Sequence, residues 1–295
     1  MVQIPKISII LPLYNEEEVI DNNVKRLDFL LKSLNYSYEI ILCDDNSKDN
    51  TVEKALELCK TYDNCTLLKF DRRVGKGGTL KNGLRIAKGE LALLLDIDVI
   101  ITSRELSSAL TSTTYDFPLS IGIRNGRTDP SFSRLFLSSG YNTLVRMMFR
   151  TGVKDHQCGM KVIHSILFEN LLRTSRCDGL LFDTELIVNT LKLNKNIRTF
   201  EFFWNEARNT SSSKVVPFRS VLTFLADLLI LRLSRIRSTN LLKYNVVSAG
   251  SFKDHKRDKT HRVIQLNINV RNRGFQQLIN FLRKIYGIVA FGKNK

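Results

Sequence analysis

The segment Leu91-Ala92-Leu93-Leu94-Leu95-Asp96-Ile97-Asp98 is five apolar residues followed by two carboxylates one residue apart. A run that short and that continuous predicts a strand buried on both faces, since a half-exposed strand would alternate. Working outward, Lys6–Leu13, Tyr38–Cys43 and Cys65–Phe70 read as strands of the same kind. Between them lie helix patterns: Val24, Leu27, Leu30, Leu31 and Leu34, then residues 50–60, then Leu80, Leu84 and Ala87. Strands alternating with helices of ten residues or so predict βαβ units and a mostly parallel, Rossmann-like sheet with flanking helices. Ligands of such sheets bind beyond the carboxyl ends of the strands. Those ends read Tyr14-Asn15-Glu16, Asp44-Asp45, Arg72-Arg73 and Asp96-x-Asp98, and three of the four carry carboxylates.

The second half is less regular. Phe117–Ile123 reads as a strand and Ser131–Arg150 as an amphipathic helix with Arg134, Ser138, Asn142 and Arg146 on one stripe. A loop at Lys154–Gly159, helices near Ile163–Leu172 and Phe182–Leu193, and a strand near Ile197–Phe203 follow. Residues 217–236 read as a Pro-started apolar helix closed by Arg232, Arg235 and Arg237, a frame that suits a helix lying on anionic lipid. Residues 240–258 read as a linker, and 274–291 as a last amphipathic helix. The expected division is one main domain over 1–236, in two halves that meet at 125/126. A basic membrane-surface extension over 237–295 follows it.

The 295 residues carry 45 Lys and Arg against 29 Asp and Glu. The excess is concentrated: residues 232–295 hold 15 basic and 2 acidic side chains, so the extension should meet an anionic surface. A hydrophobic content of 43% excludes disorder of the whole chain. Five scattered cysteines without a CxxC pair argue against a disulfide framework or a zinc ribbon and for a reducing compartment. No secretory signal pattern and no apolar run of about 18 residues is seen, so the expected location is the cytoplasmic face of a membrane, held peripherally.

Two carboxylates in one turn repel unless a cation lies between them, and a divalent ion that also grips a diphosphate would relieve this. An N-cap or a solvated turn is the plainer reading of a lone DxD; the neighbouring Asp44-Asp45 favours a site. Gly75-Lys76-Gly77-Gly78 opens a helix whose amides could hold phosphate, although the Walker A spacing is absent. Asp155-His156-Gln157-Cys158-Gly159 offers an acid and an imidazole. Alone, its histidine reads as structural, and Cys158 lacks the partners of a nucleophile.

Taken in order, ISIILPLYNEE, EIILCDDNSKDNT, RRVGKGGTLKNGL, LLLDIDV, IGIR, KDHQCGMKVI and WNEARNTSSSKV resemble the family-2 glycosyltransferases of the GT-A fold. More narrowly, they resemble the polyprenyl (dolichyl) phosphate sugar synthases. The CGMK loop and the SKV pattern are most similar to the dolichyl-phosphate glucosyltransferase branch. The resemblance implies an inverting transfer of a hexose from a nucleotide sugar to polyprenyl phosphate, for glycan or glycoprotein assembly. UDP-glucose or another UDP-hexose is the implied donor, with GDP-mannose as the alternative. It implies that Pro12, Tyr14, Glu16, Asp44, Asp45, Lys76, Asp96 and Arg124 serve the nucleotide sugar. Asp96 and Asp98 would face Mg²⁺ or Mn²⁺, Asp98 more directly, and Asp155 would lie by the reacting sugar. Arg134, Ser138, Arg208 and Lys214 would hold the lipid phosphate. Where relatives carry a polar residue two places after the DxD, this chain has Ile100, so water or Thr102 would complete the metal shell. A soluble sugar acceptor, and a basic nucleic-acid binder without catalysis, stand as competing readings. The second has no recognisable module in the extension and leaves the acidic strand ends unexplained.

Overall fold

The computed structural model describes residues 6–127, 132–206, 228–229, 231–232, 248–253 and 260–266; for 125–138, 204–206 and the last two segments it describes the backbone alone. Strand β1 (Ile7–Leu13) leads through α1 (Ile20–Ser33) to β2 (Tyr38–Asp44), and α2 (Thr51–Thr61) leads to β3 (Cys65–Phe70). Helix α3 (Lys76–Ile86), β4 (Leu91–Leu95), the short β5 (Val99–Ile100) and α4 (Ser103–Ser112) follow. Then come β6 (Leu119–Arg127), α5 (Phe132–Phe149), β7 (Met160–His164), α6 (Phe168–Thr174), α7 (Phe182–Lys192) and β8 (Ile197–Glu206). Two strands of the C-terminal extension, β9 (Ser248–Lys253) and β10 (Thr260–Leu266), complete the order β5-β8-β6-β7-β4-β1-β2-β3-β10-β9.

The four amino-terminal strands pair in parallel, β4 with β1, β1 with β2 and β2 with β3. Their side chains explain why. Ile7, Ile9, Ile10, Leu11, Ile40, Ile41, Leu42, Leu67 and Leu68 are fully buried, so both faces of the strands need cover. Helix α1 supplies one cover with Ile20, Val24, Leu27 and Leu31, spaced to share one face. Because β1 and β2 run in register from Ile7↔Tyr38 to Leu13↔Asp44, the polar turns after them emerge at the same edge of the sheet as the turn after β4.

Two readings are corrected by the structure. Met160–His164 is a strand, antiparallel to both β4 and β6, and helix α6 starts only at Phe168. Met160 to Ile163 are all buried, and a strand covered on both faces shows no alternation by which to tell it from a helix. Residues 248–253, read as linker, form β9, paired to β10, which adds in parallel to β3. Helix α4 was not foreseen; it begins at a capping box in which Thr102 accepts from the Glu105 amide and Glu105 accepts from the Thr102 amide. The stretch 274–291 lies outside the described residues.

A second, smaller core joins α5, α7 and the helical residues 228–229 and 231–232 through Val145, Phe149, Leu181, Val188, Leu228 and Leu231. Leu228 and Leu231 are thus packed inward, while Leu229 and Arg232 are exposed.

Candidate active site

The DxD turn at the end of β4 is fixed by backbone. The Asp96 amide donates to the Gly159 carbonyl (2.9 Å), and Asn23 Nδ2 donates to the Ile97 carbonyl (2.6 Å). Ile97 and Val99 are buried while Asp96 and Asp98 are half-buried, so the two carboxylates share the outer side of the turn. A Cβ on Gly159 would come within 2.5 Å of Asp96 Oδ2. Glycine is thus required here by the close approach of the β7 strand entry to the carboxylate.

Asp96 is met by a cation from the chain itself. Lys76 Nζ lies 2.8 Å from Asp96 Oδ1 and 3.0 Å from Oδ2, and 3.2 Å from Asp183 Oδ2. Asp183 Oδ1 in turn accepts from Lys161 Nζ at 2.8 Å, and Lys161 also donates to the Cys158 carbonyl. Burial works against the charge on Lys76, but Asp183 and Asp96 outweigh it and hold the ammonium above the ordinary lysine range. Burial likewise opposes the Asp183 carboxylate, and Lys161 with Lys76 outweighs it, lowering its pKa.

Lys76 opens α3 after Gly75, whose φ of 82° is in the glycine-favoured region. The glycine run does not stand open as a phosphate cradle. The Gly78 amide donates to the Asp178 carbonyl (2.9 Å), and a Cβ on Gly77 would meet Phe182 Cβ at 2.5 Å. The glycines allow α3 to dock tightly on the 177–179 loop, and the lysine is the side chain of this run that reaches the DxD turn.

Across the turn, Arg124 on β6 holds Asp155 in a bidentate ion pair, Nε to Oδ2 at 2.6 Å and Nη2 to Oδ1 at 2.9 Å. Burial disfavours the guanidinium charge, but Asp155 outweighs it and raises the pKa of Arg124. His156 is structural, as its sequence setting predicts. It is fully buried, with Nδ1 2.8 Å from Asn142 Oδ1 and Nε2 2.6 Å from Thr151 Oγ1. An amide oxygen only accepts, so Nδ1 carries the proton and Nε2 accepts from the threonine. Burial lowers its pKa to about 4. Burial pushes the Cys158 thiol up to about 12, which removes it as a nucleophile near neutral pH.

At the β1 and β2 ends, the Arg73 guanidinium stacks 3.6 Å from the Tyr14 ring centroid. Asp45 accepts from the amides of Val74 and Gly75 and pairs with Arg73 Nε at 3.4 Å. Asp44 is fully buried and accepts from the Ser47 amide, with burial raising its pKa. The Asp44 carboxylate thus folds its own loop. The Glu16 amide donates to Thr51 Oγ1 (2.7 Å), and half-buried Pro12 stands opposite Cys43 in register, so both shape the same rim. The Thr102 hydroxyl is engaged in the α4 cap, where it donates to Glu105 Oε2 (2.8 Å) and accepts from the Glu105 amide.

The family model described as glycosyl transferase family 2 matches residues 8–172, from β1 through β7 into α6. The chain belongs to glycosyl transferase family 2. Its relatives include the dolichyl-phosphate beta-glucosyltransferase of Dictyostelium discoideum, 29% identical over 77% of this chain and 73% of the relative. That of Mus musculus is 29% identical over 81% of this chain and 78% of its own. Among solved structures, glucosyl-3-phosphoglycerate synthase from Mycobacterium tuberculosis, in complex with Mn²⁺, UDP and phosphoglyceric acid, superposes with a TM-score of 0.61. At 17% identity over 88% of this chain and 87% of that one, the likeness shows the GT-A type fold.

For this family-2 glycosyltransferase, the structure gathers Lys76, Asp96, Arg124 and Asp155 around the end of β4. It leaves Asp44 inside the loop. Arg134 and Ser138 lie two turns and one turn before Asn142 on the same face of α5, and Asn142 contacts the loop that carries Asp155. Arg208 and Lys214 lie outside the described residues. Three residues were missing from the expected site: Arg73, Lys161 and Asp183. Lys161 lies inside the KDHQCGMKVI motif, and Asp183 interrupts the apolar run LLFDTELIV. A carboxylate among apolar residues is a signal in itself, since it is buried only when paired.

Proposed function

We propose that this protein transfers glucose from UDP-glucose to dolichyl phosphate or a related polyprenyl phosphate, with inversion at the anomeric carbon. The observation that carries the reading is the pairing of a DxD turn with the Arg124–Asp155 clamp in a chain whose relatives are named dolichyl-phosphate beta-glucosyltransferases. The donor nucleotide rests on the branch resemblance; the fold neighbour supports it only in that its own complex holds UDP.

Two half-buried carboxylates on one turn suit Mg²⁺ or Mn²⁺, which bind through one or two protein carboxylates plus substrate phosphates. Asp98 and Asp96 would hold the ion, and when bound it supplies Lewis-acid screening of the leaving diphosphate. The other groups work on two approaching anions. Lys76 faces the diphosphate, and Arg134, Ser138, Arg208 and Lys214 hold the acceptor phosphate. Tyr14, Arg73 and Asp45 form the rim for the nucleoside, with Pro12 and Glu16 shaping its backbone.

The attacking phosphate monoester is largely dianionic near neutral pH, its second pKa being about 6, so a strong base is not required. Both Asp155 oxygens are engaged by Arg124, which fits an orienting role toward sugar or acceptor better than proton abstraction. The phosphate oxygen forms the new bond to the anomeric carbon as the nucleoside diphosphate leaves.

The acceptor lives in a bilayer. No helix among the described residues is long and apolar enough to cross a membrane. The basic extension, residues 237–295, supplies attachment from the cytoplasmic side through anionic headgroups, at about 1 kcal/mol per basic residue near such a surface. Radiolabelled nucleotide sugars, offered with polyprenyl phosphate and Mg²⁺ or Mn²⁺, test the reading. Label from UDP-glucose should enter the organic phase, and label entering only water-soluble products would overturn it.

A further inference from the structure

Beneath the DxD turn, four charges alternate in sign through the protein: Lys161, Asp183, Lys76 and Asp96, linked at 2.8, 3.2 and 2.8 Å. Lys161 and Asp183 are 1% and 4% exposed. A buried ion pair is a poor device for stability alone, because well-packed apolar residues of similar volume are often as good or better. Phe182 and Leu186 on the same first turns of α7 show that this position has an apolar neighbourhood to join. What Asp183 does that a leucine would not is hold the Lys76 ammonium. The backbone agrees, because the 177–179 loop leading into α7 also docks the first turn of α3, on which Lys76 sits.

We infer that Asp183 is a positioning residue for the donor site, anchoring from beneath the Lys76 ammonium that pairs with Asp96 beside the DxD turn. The inference rests on the metal and donor reading proposed above. With Asp183 in place, Lys76 shares its charge between two carboxylates, so a divalent cation can take Asp96 while the ammonium stays anchored and faces the diphosphate. Without Asp183, the whole Lys76 charge falls on Asp96 and competes with the metal. Lys161 neutralises the inner oxygen of Asp183 and keeps that carboxylate ionised in its buried position.

The test is a Mn²⁺ titration followed by the electron paramagnetic resonance signal of the free ion, with UDP present and no turnover. Asp183→Asn should weaken Mn²⁺ binding about tenfold, the size expected for losing one nearby charge in a partly solvated site. Because the single variant strands Lys161 in the interior, the double variant K161M/D183N is the decisive one: it should fold and still bind Mn²⁺ about tenfold more weakly. Asp183→Glu should restore most of the affinity. Lys76→Gln should bind Mn²⁺ at least as tightly as wild type, since the competing cation is gone. Glu185→Gln, which removes a neighbouring buried carboxylate that accepts from the Arg176 and Cys177 amides, should leave Mn²⁺ binding unchanged. Wild-type affinity in K161M/D183N, with wild type binding Mn²⁺, would overturn the inference alone. No uptake by wild type would overturn the metal reading and this inference with it.

Discussion

Arg124 and Asp155 form a fork-to-fork ion pair, at 2.6 and 2.9 Å, between the end of the sheet and the loop that enters β7. Such bidentate pairs fix geometry as well as charge. The pair holds both Asp155 oxygens in place, which suits the orienting role proposed for it.

The first prediction is about pH. The acid limb of kcat/KM should follow the second ionisation of the acceptor phosphate, near pH 6, and Asp155→Asn should keep that limb while turnover falls about 10- to 100-fold. Loss of the limb in the variant would make Asp155 the base. Arg124→Lys should fall comparably, because an ammonium cannot replace the fork.

Gly159→Ala should disable the donor site more than the fold. Its Cβ would lie 2.5 Å from Asp96 Oδ2, so the carboxylate must move. We expect a drop of more than tenfold in kcat/KM for an overpacking cost of about 1–3 kcal/mol, separable by combining kinetics with urea unfolding.

His156 predicts an acid-sensitive stability. Its pKa falls from 6.5 to about 4 on folding, so its contribution is fully present above about pH 6.5 and is lost as pH falls toward 4. The slope approaches about 1.4 kcal/mol per pH unit within that window. His156→Gln, less stable at pH 7, should lose much of the difference from wild type by pH 5 in urea titrations.

Much of this was legible in the chain. Continuous apolar runs such as Ile7–Leu13 and Leu91–Leu95 announce two-sided burial, and the carboxylates after them mark the binding edge. Met160–His164 was not legible as a strand, because Met160, Val162 and Ile163 are buried without alternation beside the buried Lys161. Asp183 was missed for a different reason. Its partners, Lys76 and Lys161, are 107 and 22 residues away in sequence. No local pattern reports a pairing that the sheet topology creates. The same holds for Asp44 and Asp45, alike in sequence, of which one folds its own loop and the other reaches the loop at Val74–Gly75.

Attachment should be electrostatic. The 15 basic residues against 2 acidic ones in residues 232–295 should hold the protein on liposomes containing anionic lipid at low salt, and about 1 M salt should release it. Retention at high salt would shift the weight to apolar insertion.

The most direct measurement of the central claim is transfer of label from UDP-[¹⁴C]glucose to dolichyl phosphate by the purified protein with Mn²⁺, comparing wild type with Asp98→Ala. The account predicts organic-phase label that survives mild base, is released by mild acid and is abolished in the variant. Water-soluble product alone, or undiminished transfer by Asp98→Ala, would contradict it.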